Sequence, residues 1–242
     1  MADAISVCVP YWNRQVALDR MVKNYADMYP HLPLQFNICD DGSWPPARVP
    51  FSWTLTRLPQ KNEARNPCVP INRAVGTATS DIIVLTNPEV EHREPVLHEM
   101  LTLLDTSDAY VVARCRHASR YRNDGLWLAG PDTDYNGYGR EPVPPGGHFH
   151  FLAMFRSALW QRAGGFDEEY RDGTACDDND WLWRVYEAGA VFKTTQGVVW
   201  HHRDGETIWK ATHNRRLFAR KWPKARRKRV IQYRTATQGR AL

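Results

Sequence analysis

ISVCVPYWNRQVALDRMVKNYADMYPHLPLQFNICDDGS, residues 5–43, changes its apolar period twice, and those changes decide the fold class. Residues 5–10 (ISVCVP) form a short, β-branched apolar run ended by Pro10, as in a buried parallel strand. Residues 15–29 then carry Val16, Leu18, Met21, Val22 and Tyr25 at helical spacing. A second run, 34–39 (LQFNIC), stops at Asp40-Asp41-Gly42-Ser43, and Pro45, Pro46 and Pro50 mark the loop beyond. Strand, helix and strand make one β–α unit whose strands lie parallel, joined by a right-handed crossover, with ligands bound beyond the carboxyl ends.

Further along, the spacing predicts a short strand at 53–57, a helix at 69–79 and a buried strand at 81–86 (DIIVLT) stopping at Asn87-Pro88-Glu89. A helix at 94–104 and a strand at 109–113 follow. Alternation of this kind predicts an α/β fold with a mostly parallel central sheet flanked by helices. Residues 117–149 lose any period and read as a functional loop or lid on the acceptor side. A helix at 156–163, the turn Gly164-Gly165-Phe166-Asp167, a helix at 178–188, short strands near 190–200 and a tail helix from about residue 206 complete the chain. There is no internal repeat.

Composition narrows the class. A hydrophobic content of 43% is enough for a proper core. Ten Trp, ten Tyr and eight Phe are a heavy aromatic load, and many fall outside periodic segments, where a ring stacks on a ligand as readily as it fills a core. The five cysteines are widely spaced without a C-x-x-C pair, which suggests neither a disulfide framework nor a zinc knuckle and fits a reducing compartment. No run approaches the roughly 18 apolar residues that span a bilayer, so a soluble, cytoplasmic protein is expected. Charge is segregated: residues 210–242 hold twelve Lys and Arg and no Asp or Glu, behind an acidic body. Such a tail suits a polyanionic partner such as nucleic acid or an anionic membrane, and equally a solvated helix.

The chemistry lies in an ordered set of loops: CVPYWNR (8–14), ICDDGS (38–43), VLTNPEVEH (84–92), GGFDEEYRDGTACDDNDWLWR (164–184) and VVWHH (198–202). With these motifs in this order the chain resembles glycosyltransferase family 2, and its C-terminal half resembles the galactosyltransferase-type segment in which Gly-Gly-Phe-Asp precedes an acidic cluster. The resemblance spans about residues 5–202. It implies the GT-A, Rossmann-like nucleotide-diphospho-sugar transferase fold: one catalytic domain over 1–209, with a nucleotide half at about 1–115 and an acceptor half at about 116–209, followed by the basic tail at 210–242.

The resemblance places Pro10, Tyr11, Asn13 and Arg14 around the base, and Asp40 on the base or ribose with Asp41 beside it. A carboxylate accepts from an imide or hydroxyl and a ring stacks on a base, although Asp-Asp-Gly-Ser alone is also an ordinary turn. At the third loop the family shows Asp-x-Asp, which binds a divalent metal bridging the donor's diphosphate. Counting from Asp81 puts Asn87 and Glu89 on those two positions. An amide oxygen and one carboxylate still suit Mn²⁺ or Mg²⁺, with the reduced ligand charge weakening the site. The same count puts Asn72 on the asparagine of the family's Ala-Arg-Asn element, where Ile71 replaces the arginine. Ala64-Arg65-Asn66 stands earlier in the chain, and Arg65 and Asn72 are both donor-loop candidates, against a capped or solvated helix start.

Asp177, Asp178 and Asp180 crowd three carboxylates into four residues, ahead of Trp181, Trp183 and Arg184 at helical spacing. Their repulsion raises at least one pKa, and a helix N-terminus offsets part of that cost; a simple capping run is the other reading. By resemblance Asp178 is the base that deprotonates the acceptor hydroxyl and Asp177 holds an acceptor hydroxyl. Trp181 and Trp200 are candidates for acceptor stacking or for core. His201, or His202 beside it, matches the histidine that completes the metal shell.

The whole predicts a metal-dependent, inverting transfer of a sugar from a nucleotide-sugar, a UDP-sugar by class, to an acceptor hydroxyl. The basic tail, with Phe218, Trp222 and Tyr233 interleaved, adds DNA carrying a hydroxylated base as an acceptor to test. The competing class is a catalytically silent nucleotide-sugar or glycan-binding module. A nucleotidyltransferase is disfavoured because a Gly-rich phosphate loop with a basic residue is missing near the N-terminus.

Overall fold

Alternate residues of the central strands are buried on opposite faces, so each strand needs helices on both sides. In β1 (Ile5–Tyr11), Val7 and Val9 enter one core while Cys8 enters the other. The computed structural model describes residues 4–61, 63, 66–118, 151–202 and 211–223. After β1 come α1 (Gln15–Met28), β2 (Leu34–Asp40), β3 (Thr54–Arg57), α2 (Cys68–Gly76), β4 (Ile82–Thr86), β5 (Val90–His92), α3 (Val96–Leu103) and β6 (Ala109–Ala118). Then follow β7 (Leu152–Arg156), α4 (Ser157–Ala163), a 3-10 turn at Glu168–Tyr170, α5 (Asp177–Glu187), β8 (Val191–His202) and α6 (Thr212–Lys221).

The described strands make one sheet in the order β3-β2-β1-β4-β7-β6-β8-β5. Pairing is parallel for β3–β2, β2–β1, β1–β4 and β6–β8, and antiparallel wherever β7 or β5 takes part. The expected mostly parallel sheet with flanking helices is therefore present. One core lies under α1 and α3, where Leu18, Met21, Tyr25, Leu97 and Met100 pack on Val9, Val84 and Val111. The other lies under α2, α4 and α5, where Ile71, Leu159, Trp181 and Val185 pack on Cys8, Leu85 and Phe155.

Two strands are absent from the sequence reading. β7 runs directly from Arg156 into α4 at Ser157 with no turn residue between them, so its five residues read as the approach to a helix. β5 has three residues, too few for a period, and exists through pairing with β8. The short strands expected near 190–200 are one strand reaching His202, and the tail helix starts at Thr212. Nearly all of the lid expected at 117–149 lies outside the described residues.

β5 is tied to α1 by a buried histidine. Asn24 accepts from the His92 N–H at 2.8 Å and donates to the His92 carbonyl at 2.7 Å. The ring sits between the hydroxyls of Tyr29 (2.5 Å, at Nδ1) and Tyr25 (3.2 Å, at Nε2). Burial pushes the imidazole down to about 3, because no solvent compensates its charged form. Below the ordinary histidine range the unfolded chain binds a proton that the folded chain refuses. Stability is thus expected to fall as the pH drops from about 6.5 toward 3, at up to about 1.4 kcal/mol per pH unit from this group. Urea unfolding across that range should show a shallower decline for His92→Gln than for the wild type; equal slopes would refute it.

Candidate functional site

The loops after β1, β2 and β4 leave the same edge of the sheet, and cross-loop hydrogen bonds fix their shapes. Asp41 N–H donates to Tyr11 O at 2.8 Å. Asn13, at φ 51°, donates its N–H to Ser43 Oγ at 2.9 Å and accepts from Trp44 N–H at 2.9 Å, stapling the first loop to the second. Gly42, at φ 76°, is required, since a Cβ there would lie 2.1 Å from Pro59 O. The Asp40 carboxylate is buried and accepts from the N–H groups of Ser43 (2.9 Å) and Ala47 (3.0 Å). These bonds shape the loop, one N–H engaging each carboxylate oxygen. Asp41 is paired with Lys61, whose ammonium lies 5.6 Å from the Trp12 ring centroid.

At the end of β1 the two neighbouring aromatics have different surroundings. Tyr11 is 3% exposed and packed in the core under α1, so it has no face for a base. Pro10 is buried within the strand. Trp12, which sequence reasoning did not place on the site, is half-buried, and its indole nitrogen is buried without a partner among the described residues. The signal was the alternation itself: Val7, Val9 and Tyr11 share one face, and Trp12 lies just past the strand.

At the third loop, the β5–β8 pairing joins the chain around Glu89 to the end of β8. Val90 is opposite His201, and His202 N–H donates to Glu89 O at 2.9 Å. The Glu89 carboxylate is 2.6 Å from Arg14 Nε, linking this loop to the first. His202 is bonded to Glu91 at 2.5 Å, whereas His201 lies with its ring 4.8 Å from that of Phe151. Among the described residues no three His, Cys, Asp or Glu side chains gather into a cation shell. The register sets Val90 opposite His201 and Glu91 opposite Trp200, and of the two histidines it is His202 that bonds a β5 carboxylate. Trp200 is 9% exposed with the Arg93 guanidinium 4.3 Å over its ring, so this face is already covered.

The acidic turn reaches that edge through α2. Because α2 leads back to the start of β4, its N-terminus lies at the carboxyl ends of the strands. Asn66, just ahead of it, donates to Asp177 Oδ1 at 2.8 Å. The three carboxylates then have different fates. Asp180 is fully buried and takes Arg184 (2.6 Å), the Tyr170 hydroxyl (3.2 Å) and the Trp222 indole N–H (2.7 Å), a structural network. Asp177 is buried, and burial first, then the charge of Asp178, pushes its carboxyl well above the ordinary carboxylate range. Asp178 stays half-buried in the first turn of α5.

Two assignments do not survive the structure. Asn72 accepts from Phe166 N–H (2.9 Å) and donates to Phe166 O (2.8 Å) and Glu168 (3.0 Å), pinning the Gly-Gly-Phe-Asp turn to α2 instead of serving a donor. Trp181 has no exposed surface; it packs against Phe166 at 5.0 Å and Trp160 at 4.9 Å, and its N–H donates to Tyr110 Oη at 3.1 Å. It is core, not an acceptor platform. Arg65 lies outside the described residues.

No protein-family model and no curated protein matches the chain. Solved structures do. A mannosyltransferase from Pyrobaculum calidifontis, in complex with GDP-Man and Mn²⁺, matches with a TM-score of 0.58 at 20% identity over 83% of this chain and 57% of its own. TarS of S. aureus with UDP-GlcNAc gives 0.60 at 12% identity over 86% of this chain and 61% of its own. The catalytic domain of a Drosophila beta1,4-galactosyltransferase 7, with xylobiose, gives 0.52 at 14% over 81% and 66%. The chain thus spans less than two thirds of each neighbour. The fold these structures share with it is GT-A.

Trp181→Ala is expected to cost about 3–5 kcal/mol of stability by leaving an aromatic-sized cavity. Urea unfolding checks it; a change within about 0.5 kcal/mol would return Trp181 to the surface.

Proposed function

We propose that this chain is a glycosyltransferase that moves a sugar from a nucleotide-sugar to an acceptor hydroxyl. One observation carries the reading: on a GT-A fold, the Asn66–Asp177 bond sets a buried carboxyl and a half-buried carboxylate beside the stapled loops at the ends of the strands. The neighbours were solved with GDP-Man and with UDP-GlcNAc, which supports a nucleotide-sugar donor. A UDP-sugar is the proposed class. Trp12 stacks the base, while Asn13, Asp41 and Arg14 line the nucleotide and its diphosphate.

Asp178 takes the proton of the acceptor hydroxyl as the acceptor oxygen bonds to the anomeric carbon and the bond to the diphosphate breaks, releasing the nucleoside diphosphate and inverting that carbon. Asp177, whose carboxyl is pushed up by burial, holds the acceptor hydroxyl in place. Glu89, Asn87 and His201 would hold a divalent cation, and the Mn²⁺ of the mannosyltransferase neighbour supports one. When bound, it neutralises charge on the leaving diphosphate.

The decisive measurement is release of nucleoside diphosphate from a panel of nucleotide-sugars, with Mn²⁺, Mg²⁺ or EDTA. Turnover of one donor should stop in EDTA and fall by about 10²–10⁴-fold in Asp178→Asn. A second reading, a silent nucleotide-sugar-binding module, is favoured by the Arg14–Glu89 pair that occupies the expected metal carboxylate. Donor binding by calorimetry with no turnover on any acceptor would select that module, and absence of binding would sink both readings.

For the acceptor we propose DNA bearing a hydroxylated base. The support is charge: twelve basic residues in 210–242, with the His213, Arg215 and Arg216 side chains exposed on α6. Affinity for duplex DNA should fall steeply with salt, and deletion of 224–242, which removes seven Lys and Arg, should flatten that slope. Salt-independent binding, or none, removes nucleic acid as the acceptor.

A further inference from the structure

The turn that leads into α5 is held against its own backbone preference. Ala175 (φ 67°) and Cys176 (φ 70°) are consecutive non-glycine residues in the left-handed region, immediately before Asp177. Side chains with a Cβ adopt this conformation rarely, and strain of this kind persists only where the surroundings over-determine it.

Two buried asparagines do so. Asn214 of α6 donates from Nδ2 to Ala175 O at 3.0 Å and to Tyr170 O at 2.9 Å, spanning the turn from end to end. Asn66 donates from Nδ2 to the same Ala175 O at 3.4 Å and to Asp177 Oδ1 at 2.8 Å. The fit at Asn214 is close: a Cβ on Gly173 would lie 2.5 Å from its Oδ1, so only glycine admits the amide against the chain. The side-chain oxygens of Asn66 and Asn214, and the Thr174 hydroxyl, are buried without a partner among the described residues. A buried amide that leaves its oxygen unpaired is explained by its donors, and both sets of donors converge on one carbonyl.

We propose that Asn214 is a positioning residue, and that α6 thereby belongs to the catalytic apparatus: with Asn66 it clamps the 173–177 turn so that Asp177 and Asp178 open α5 in the observed geometry. The inference rests on the role proposed for Asp178. α6 does not need Asn214 to stay docked. Its Trp222 indole donates to Asp180 at 2.7 Å and stacks on Trp183 at 5.4 Å, Lys221 pairs with Asp167 and Glu169, and Leu217 is buried in the core. Replacing Asn214 therefore removes the clamp and leaves the helix in place.

The test is Asn214→Ala in the full-length protein, read by hydrogen exchange and by consumption of the donor that the panel identifies. Exchange at the amides of 174–180 should rise by about tenfold or more, with 212–221 unchanged. Turnover should fall by about 10²-fold with the donor KM within about twofold of the wild type, the signature of displaced catalytic groups rather than lost donor contacts. Adding Ala175→Gly, which accepts a positive φ without strain, should restore part of both. Unchanged exchange over 174–180, or a rise spread through 212–221 that Ala175→Gly does not correct, overturns the clamp. A wild type that consumes no donor defeats the proposed reaction instead, and the exchange arms then still decide whether Asn214 holds the turn.

Discussion

The 2.8 Å hydrogen bond from Asn66 to Asp177 joins parts of the chain 111 residues apart, and the candidate site depends on it. Without it, α5 is one more amphipathic helix packed on the sheet through Trp181, Leu182 and Val185. With it, the N-terminus of α5 is registered to the N-terminus of α2, and the acidic turn stands beside the loops after β1, β2 and β4. The electrostatics follow from burial first and the neighbouring Asp178 second, and this bond offsets part of that shift. It holds one carboxyl inside the protein, where the charged form is disfavoured, and leaves the next residue half-buried. Two adjacent aspartates thus have different environments, one buried and one half-buried.

Much of the nucleotide half is legible in residues 5–43, because the apolar period changes where the turn chemistry does. Pro10, the Asp-Asp-Gly-Ser turn and the helical spacing from Val16 to Tyr25 all point to the same boundaries, and β1, α1 and β2 fall within a residue or two of them. The failures share a different cause. β7 has no breaker before α4, and β5 is defined only by its partner strand. Asn72 and Asp40 are polar residues in motif positions whose hydrogen bonds turn inward, and spacing does not show which way a side chain turns. Trp181 lies at helical spacing from Trp160-side core contacts that only the packing of α4 on α5 creates.

The division of labour among the acidic residues follows from how each is compensated. Asp167 and Asp180 meet Arg184, and Asp167 also meets Lys221, so these carboxylates fasten α6 and the Gly-Gly-Phe-Asp turn to α5. Burying them is tolerable because every charge in that network has a partner. Among the described residues Asp177 has the Asn66 amide for a partner and no cation, and burial raises its carboxyl. The sequence pattern Asp-Asp-Asn-Asp treats these positions as equivalent, and the tertiary contacts separate them.

The Arg14–Glu89 pair makes the same point at the other end of the site. A guanidinium and a carboxylate pair at 2.6 Å in the ligand-free chain, so a group that draws Arg14 away also changes the surroundings of Glu89. A diphosphate is a stronger and geometrically matched acceptor for the guanidinium fork. In the proposed reaction, donor and divalent cation would therefore bind with positive coupling, each stabilising the partner that the other displaces, and by linkage the effect is equal in both directions. A chain with two carboxylates at positions 87 and 89 would retain a free acid for the metal in the absence of donor. With an amide at 87, the proposed metal affinity would depend on the donor complex as well as on the protein.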